Sequence, residues 1–272
     1  MILSTGGLPD TGFVVPWPLV ALAMLAYAVA ALAPTRRPRV AGMALGLAGA
    51  THLLLLVLDI GGFGSSETGA RLGFGPVLSL TVYLVLLVHG LESRLLPLPP
   101  VRRTLATVGA LAVLLAAVFP GEVRPVSSPW APLHFVLGIA SYGLFGAAVL
   151  HALMLDAAER RLRQRRGGSL MPGVPLLQLE RLTFRIVQLG FVVLSAALLL
   201  GVATTERWRW EHKTVFSLLG WLVFALLLLG RWRRGWRGRQ ATVWLYGGAL
   251  LLLLAYVGSR FVFEVMLGRP AP

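Results

Sequence analysis

Five histidines, His52, His89, His134, His151 and His212, carry the widest chemical range in this chain. Imidazole ligates metals and exchanges protons near neutral pH. They stand in a sequence that is 57% hydrophobic and only 13% charged. His134 follows Pro132 at the outer start of one apolar run, and His212 sits at the outer start of another. Two neutral imidazoles at one membrane level can supply both axial ligands of a haem iron. Their neighbours suit a flat, anionic macrocycle. Trp130, Trp208 and Trp210 offer aromatic faces, and Arg124, Arg207, Arg209 and Lys213 offer charge for two propionates. Gly138 lies one helical turn below His134 and Ser141 two turns below, where small side chains let a planar ring approach the backbone. A divalent metal is the nearest competing ligand for the pair. Ordinary interfacial Trp and a wetted His make the bland alternative.

His52 lies inside an apolar run, with Asp59 seven residues further on the same helical face. The two could form a deeper ligand site or an ion relay, or His52 could simply hydrogen-bond a neighbouring helix. His89 and His151 fall at the opposite ends of their runs from His134, where snorkelling to the interface would explain them. His151 is 17 residues from His134, about 25 Å along a helix at 1.5 Å per residue, so the two cannot share a ligand.

The elements that must position these residues follow from hydropathy. Mean hydropathy is +0.77, and so little charge cannot cover a water-facing surface of this size. The expected fold class is all-α, a polytopic membrane bundle of about eight helices forming a single integral membrane domain over residues 1–272. At about 20 apolar residues per crossing, spans are expected near 14–33, 40–60, 74–91, 104–119, 132–154, 184–203, 213–230 and 241–259. The stretch Leu176 to Arg185 could lie as an amphipathic helix on the inner surface.

The formal net charge is +14, and all but one of the 25 basic residues are Arg. Eighteen of the 25 fall in alternate loops, around Arg36, Arg94 to Arg103, Arg160 to Arg185 and Arg231 to Arg239. The positive-inside bias makes those loops cytoplasmic and puts both termini on the outer, periplasmic side. This charge, split among short loops, reads as a topology determinant facing anionic lipid, with no nucleic acid expected. There is no Cys. Thiolate metal sites and thioether-linked haem are thereby excluded, so a bound haem would be b-type and non-covalent. No phosphate loop, H-E-x-x-H or G-x-S-x-G is present, and no catalytic residue stands out.

The run W-R-W-E-H-K-T-V-F-S-L-L-G-W-L-V-F-A-L-L-L-L-G-R from Trp208 to Arg231, followed by G-W-R-G-R, resembles the cytochrome c assembly family of haem-handling membrane proteins. So does W-A-P-L-H-F-V-L-G-I-A-S-Y-G-L-F-G from Trp130 to Gly146. The likeness covers about residues 128–265 best and is nearest to the shorter YpjD-like and HemX-like members. The resemblance implies haem displayed on an outer Trp-rich segment between two external histidines, the first matching His134. The family's W-D-P-K-E-type ending reads W-E-H-K-T here, and no His occurs in residues 255–272, which leaves His212 as the outer partner.

The resulting expectation is a multi-pass protein of the bacterial inner membrane that displays or delivers haem at the outer face. It would support cytochrome c assembly, with apocytochrome c or other maturation proteins as partners, as a carrier or assembly factor more than a catalyst. The alternative reading is a haem-independent membrane partner that regulates a metal-ion transporter or haem biosynthesis. A channel built around His52 and Asp59 is the third.

Overall fold

A computed structural model describes residues 15–34, 36–60, 70–95, 101–120, 122–124, 130–163, 176–204, 211–258 and 260–266. Eight α-helices follow in order: α1 (Trp17–Leu32), α2 (Pro38–Ile60), α3 (Phe74–Leu95), α4 (Arg102–Val118), α5 (Ala131–Arg163), α6 (Leu176–Thr204), α7 (His212–Arg234) and α8 (Gly238–Leu253). The polypeptide then continues as π-helical turns at Leu254–Gly258 and Phe261–Met266. Six of the described helical segments are long and apolar enough to cross a membrane. The first and fourth, α1 and α4, have 16 and 17 residues.

A short antiparallel ribbon pairs β1 (Ala70–Leu72) with β2 (Glu122–Arg124), in the register Ala70 to Arg124 and Leu72 to Glu122. Hydropathy did not anticipate it, because three-residue strands in a polar loop leave no periodic pattern.

Local sequence accounts for the helix ends. Pro18, Pro38, Pro76 and Pro132 each stand in a first turn, where a missing N–H costs nothing. Gly235 closes α7 in the left-handed conformation at φ 64°, with its N–H directed to the Arg231 carbonyl. The turn it makes folds Trp236 onto Gly230, where any β-carbon would collide with the indole.

Packing follows membrane rules. In α1, α2 and α4 the buried face is small, with Ala23, Ala26, Ala30, Ala44, Ala48 and Ala106, while Leu22, Leu25, Leu47 and Leu111 point outward. That distribution is expected where lipid is as apolar as leucine and helices gain most from close backbone approach. Gly109 of α4 receives the Tyr27 ring, since a β-carbon there would lie 2.7 Å from Tyr27 Cζ. A second core joins α5 to α8 around Phe145, which stacks on Phe224 at 3.8 Å between centroids. Helix α3 packs against both α4 and α5 and so links the two groups.

The Leu176 to Arg185 stretch is not a separate surface helix. It forms the first turns of α6. Leu179, Thr183 and Phe184 are buried against the bundle, and Glu180 accepts from Arg231 of α7 at 2.8 Å, so tertiary contacts hold it in line with the span.

The Arg-rich ends of the helices are gathered together. Arg102 donates to the Ala33 carbonyl, and Arg231 pairs with Glu180. Asp156 accepts from Thr242 at 3.0 Å and from Tyr246 at 2.9 Å. His134, Glu211 and the β ribbon belong to the other end.

Candidate functional site

A cavity opens at the end of the bundle that carries His134. Its volume is about 490 Å³, within the usual range for a small-molecule site. Helix α5 contributes His134, Phe135, Gly138 and Tyr142, and α6 contributes Ala197 and Gly201. The start of α7 supplies Lys213, Thr214 and Ser217, and the α8 end supplies Leu252 and Tyr256. The lining is mostly apolar.

His134 is held in a defined orientation. Its Nδ1 lies 2.9 Å from the Ala197 carbonyl, which can only accept, so Nδ1 donates, and in the neutral ring Nε2 presents the lone pair. A backbone carbonyl that fixes the tautomer in this way is the usual second partner of a metal-bound imidazole. Gly201 makes the approach possible. A β-carbon there would stand 2.9 Å from His134 Cε1 and 3.3 Å from Nδ1, so the ring would have to move. Gly138 borders the cavity with open space within 4 Å of the position a β-carbon would take. Ser141 is turned away from it and donates to the Gly138 carbonyl at 2.6 Å.

Two further residues shape the floor. Tyr142 donates its hydroxyl to the Leu252 carbonyl at 2.6 Å. Leu252 stands just before α8 widens into π-helical turns, which turn Ala255 and Tyr256 toward the same space. Single π-helical turns inside helices recur at binding sites. Sequence reasoning passed over Tyr142 and Tyr256. Tyr142 lies within the family-like stretch from Trp130 to Gly146, but nothing in spacing alone pairs it with α8.

At the mouth, Lys213 Nζ lies 2.6 Å from Glu211 Oε2, with the lysine half exposed. His212 begins α7 and is exposed, and it is absent from the cavity lining. Trp130 immediately precedes α5 and is 56% exposed. Trp208, Trp210, Arg207 and Arg209 lie outside the described residues, as does the side chain of Arg124, whose backbone ends β2. The structure thus brings together His134, Gly138 and Lys213 of the expected set.

His52 has a different setting. It is fully buried, with Nδ1 2.8 Å from the Tyr27 hydroxyl and Nε2 2.8 Å from Ser79 Oγ. Tyr83 meets the ring edge-on. Both nitrogens are therefore engaged in tying α1, α2 and α3 together. His52, Asp59 and Ser79 border a cavity of about 30 Å³, room for a single water.

The donor set and the open space at Gly138 fit a flat, iron-bearing ligand entering beside His134. Residues 47–267 match the family described as Cytochrome C assembly protein. The chain belongs to the cytochrome c assembly family. It is 30% identical over 207 residues to the inner membrane protein YpjD of Escherichia coli K12, covering 74% of this chain and 78% of that one. It is 24% identical over 233 residues to a cytochrome c biogenesis protein CcsA of Prochlorococcus marinus, covering 70% and 74%. A 28.8 kDa protein of Azospirillum brasilense is 35% identical over 172 residues, covering 60% and 63%. No solved structure matches the chain. Family membership agrees with the resemblance seen around Trp130 to Gly146 and Trp208 to Arg231, and with a helical, multi-pass membrane protein.

Proposed function

We propose that the protein binds haem in the cavity beside His134 and presents it at the outer face of the bacterial inner membrane in support of cytochrome c assembly. The observation that carries this reading is the His134 ring, anchored through Nδ1 to Ala197 and bordering a cavity of about 490 Å³. Haem is the cargo, and the iron it brings takes an imidazole nitrogen as axial ligand. The residues of the chain hold and orient. His134 offers Nε2, Gly138 leaves room for a planar edge, the apolar walls exclude water, and Lys213 offers charge for a propionate. His212, Trp130, Trp208, Trp210, Arg124, Arg207 and Arg209 are proposed as contacts from the surrounding outer segments. Binding is non-covalent because the chain has no Cys. The outward orientation rests on the Arg-rich loops facing the cytoplasm. The natural acceptor would be an apocytochrome c or another maturation protein.

The test is an absorption spectrum of the purified protein after haem supplementation. A Soret band in the wild type that is lost in His134→Ala supports the proposal. No band, or an undiminished band in that variant, sinks it. The double variant with His212→Ala then reports whether His212 supplies a second axial bond.

A further inference from the structure

A second group of ligating side chains lies at the Arg-rich end, remote from the cavity. His89, Glu92 and His151 bring one ligand atom each to within 4.8 Å of one another. His151 comes from α5 and is fully buried, and Glu92 of α3 is 12% exposed. His89 and Glu92 are three apart, so they share a face of α3 and turn together toward α5. The snorkelling expected for His89 and His151 is not seen. His151 instead faces Glu92 of α3.

The polar atoms of this group are poorly served. His151 Nδ1 and Nε2, His89 Nδ1 and Glu92 Oε2 are buried and make no well-aligned hydrogen bond. Yet His151 Nε2 stands 2.9 Å from Glu92 Oε2. Close approach without alignment is how ligand atoms are arranged around a shared centre. Bonds of about 2.0–2.1 Å in a tetrahedron put ligand atoms roughly 3.3 Å apart. Buried polar atoms left unserved are costly, and more so within a membrane bundle.

We propose that His89, Glu92 and His151 form a binding site for a divalent first-row transition cation such as zinc or ferrous iron. Two imidazoles and one carboxylate suit either ion and leave a coordination position open. Nitrogen donors disfavour magnesium and calcium. The ion would bridge α3 and α5 and replace the missing hydrogen bonds with three coordinate bonds. The site is independent of haem and of His134.

Protein stripped with chelator and kept haem-free in nanodiscs is loaded with Zn²⁺, desalted and analysed for metal. Co²⁺ is then titrated as a visible-band probe. One Zn²⁺ per chain is expected, together with Co²⁺ bands at the intensity of low-coordinate sites. Glu92→Gln and His89→Ala should each weaken binding by more than about tenfold, the least that even outer-shell losses cause. His134→Ala should leave it unchanged. Glu92→Gln keeps size and helix, and its circular dichroism shows whether it is folded. Wild-type protein that retains no metal overturns the proposal. So does metal that remains in folded Glu92→Gln and His89→Ala, or that is lost in His134→Ala.

Discussion

His52 and His134 stand in two halves of the same bundle and are treated in opposite ways. Around His52, α1, α2 and α3 leave a cavity of only about 30 Å³, and hydroxyls from Tyr27 and Ser79 take both ring nitrogens. Around His134, α5 and α6 take one nitrogen through the Ala197 carbonyl and leave the other side of the ring beside a cavity. The difference teaches that a histidine's place along a span does not tell how much of its ring is left free to bind. Both ring nitrogens are engaged at His52, whereas only Nδ1 is engaged at His134. The alanine-rich faces of α1, α2 and α4 let backbones meet closely, whereas the core of α5 to α8 is built around the stacked rings of Phe145 and Phe224.

The comparison breaks most visibly with crossed substitutions. His134→Ala should lower haem affinity by more than about a hundredfold, the upper range for losing merely an outer-shell partner. Because the ring lies at the rim, its melting temperature without haem should barely change. His52→Ala should do the reverse. It should cost about 2–4 kcal/mol through the cavity and two lost hydrogen bonds, seen as a lower unfolding midpoint in mild denaturant, with the haem spectrum intact. If His52→Ala abolishes the Soret band in folded protein, the two halves are not separable.

Smaller changes sharpen the contrast. Gly138→Leu projects into open space, so the fold should tolerate it while haem titration shows at least about tenfold weaker binding, about 1.4 kcal/mol. Gly201→Ala pushes on the His134 ring and should shift the Soret maximum with a loss of several-fold in affinity, about 1 kcal/mol. Lys213→Ala comes last. A half-exposed charge contributes under about 1 kcal/mol, and the effect should fade as salt is raised in the titration.

Much of the bundle was legible from hydropathy. Each of the eight expected apolar runs falls on a helix among the described residues, and six of those helices are long and apolar enough to cross a membrane, where an apolar run has no other favourable state in lipid. Helix ends were less legible. Helix α5 reaches Arg163 although the apolar run stops near 154, because polar turns can stay helical when neighbouring helices pair with them, as Asp156 pairs with Thr242 and Tyr246. The choice of His134 rested on its place at the start of a span. The Ala197 anchor and the Gly201 gap were invisible, being properties of a helix more than sixty residues away. The group at His89 did carry a trace in the sequence, the His-x-x-Glu spacing at 89 and 92, but a single helix face does not name its partner.

By itself, then, the sequence determined that this is a multi-pass helical membrane protein with its Arg concentrated at one end and two histidines at the other. Those properties follow from composition and order along the chain, and its motifs carry the likeness to cytochrome c assembly proteins. Tertiary structure alone decided which imidazole is sealed by hydroxyls, which borders a cavity, and which converges with Glu92. Each of those outcomes depends on what an adjacent helix places within about 3 Å, the reach of a hydrogen bond or a coordinate bond, and no pattern along one helix encodes that distance.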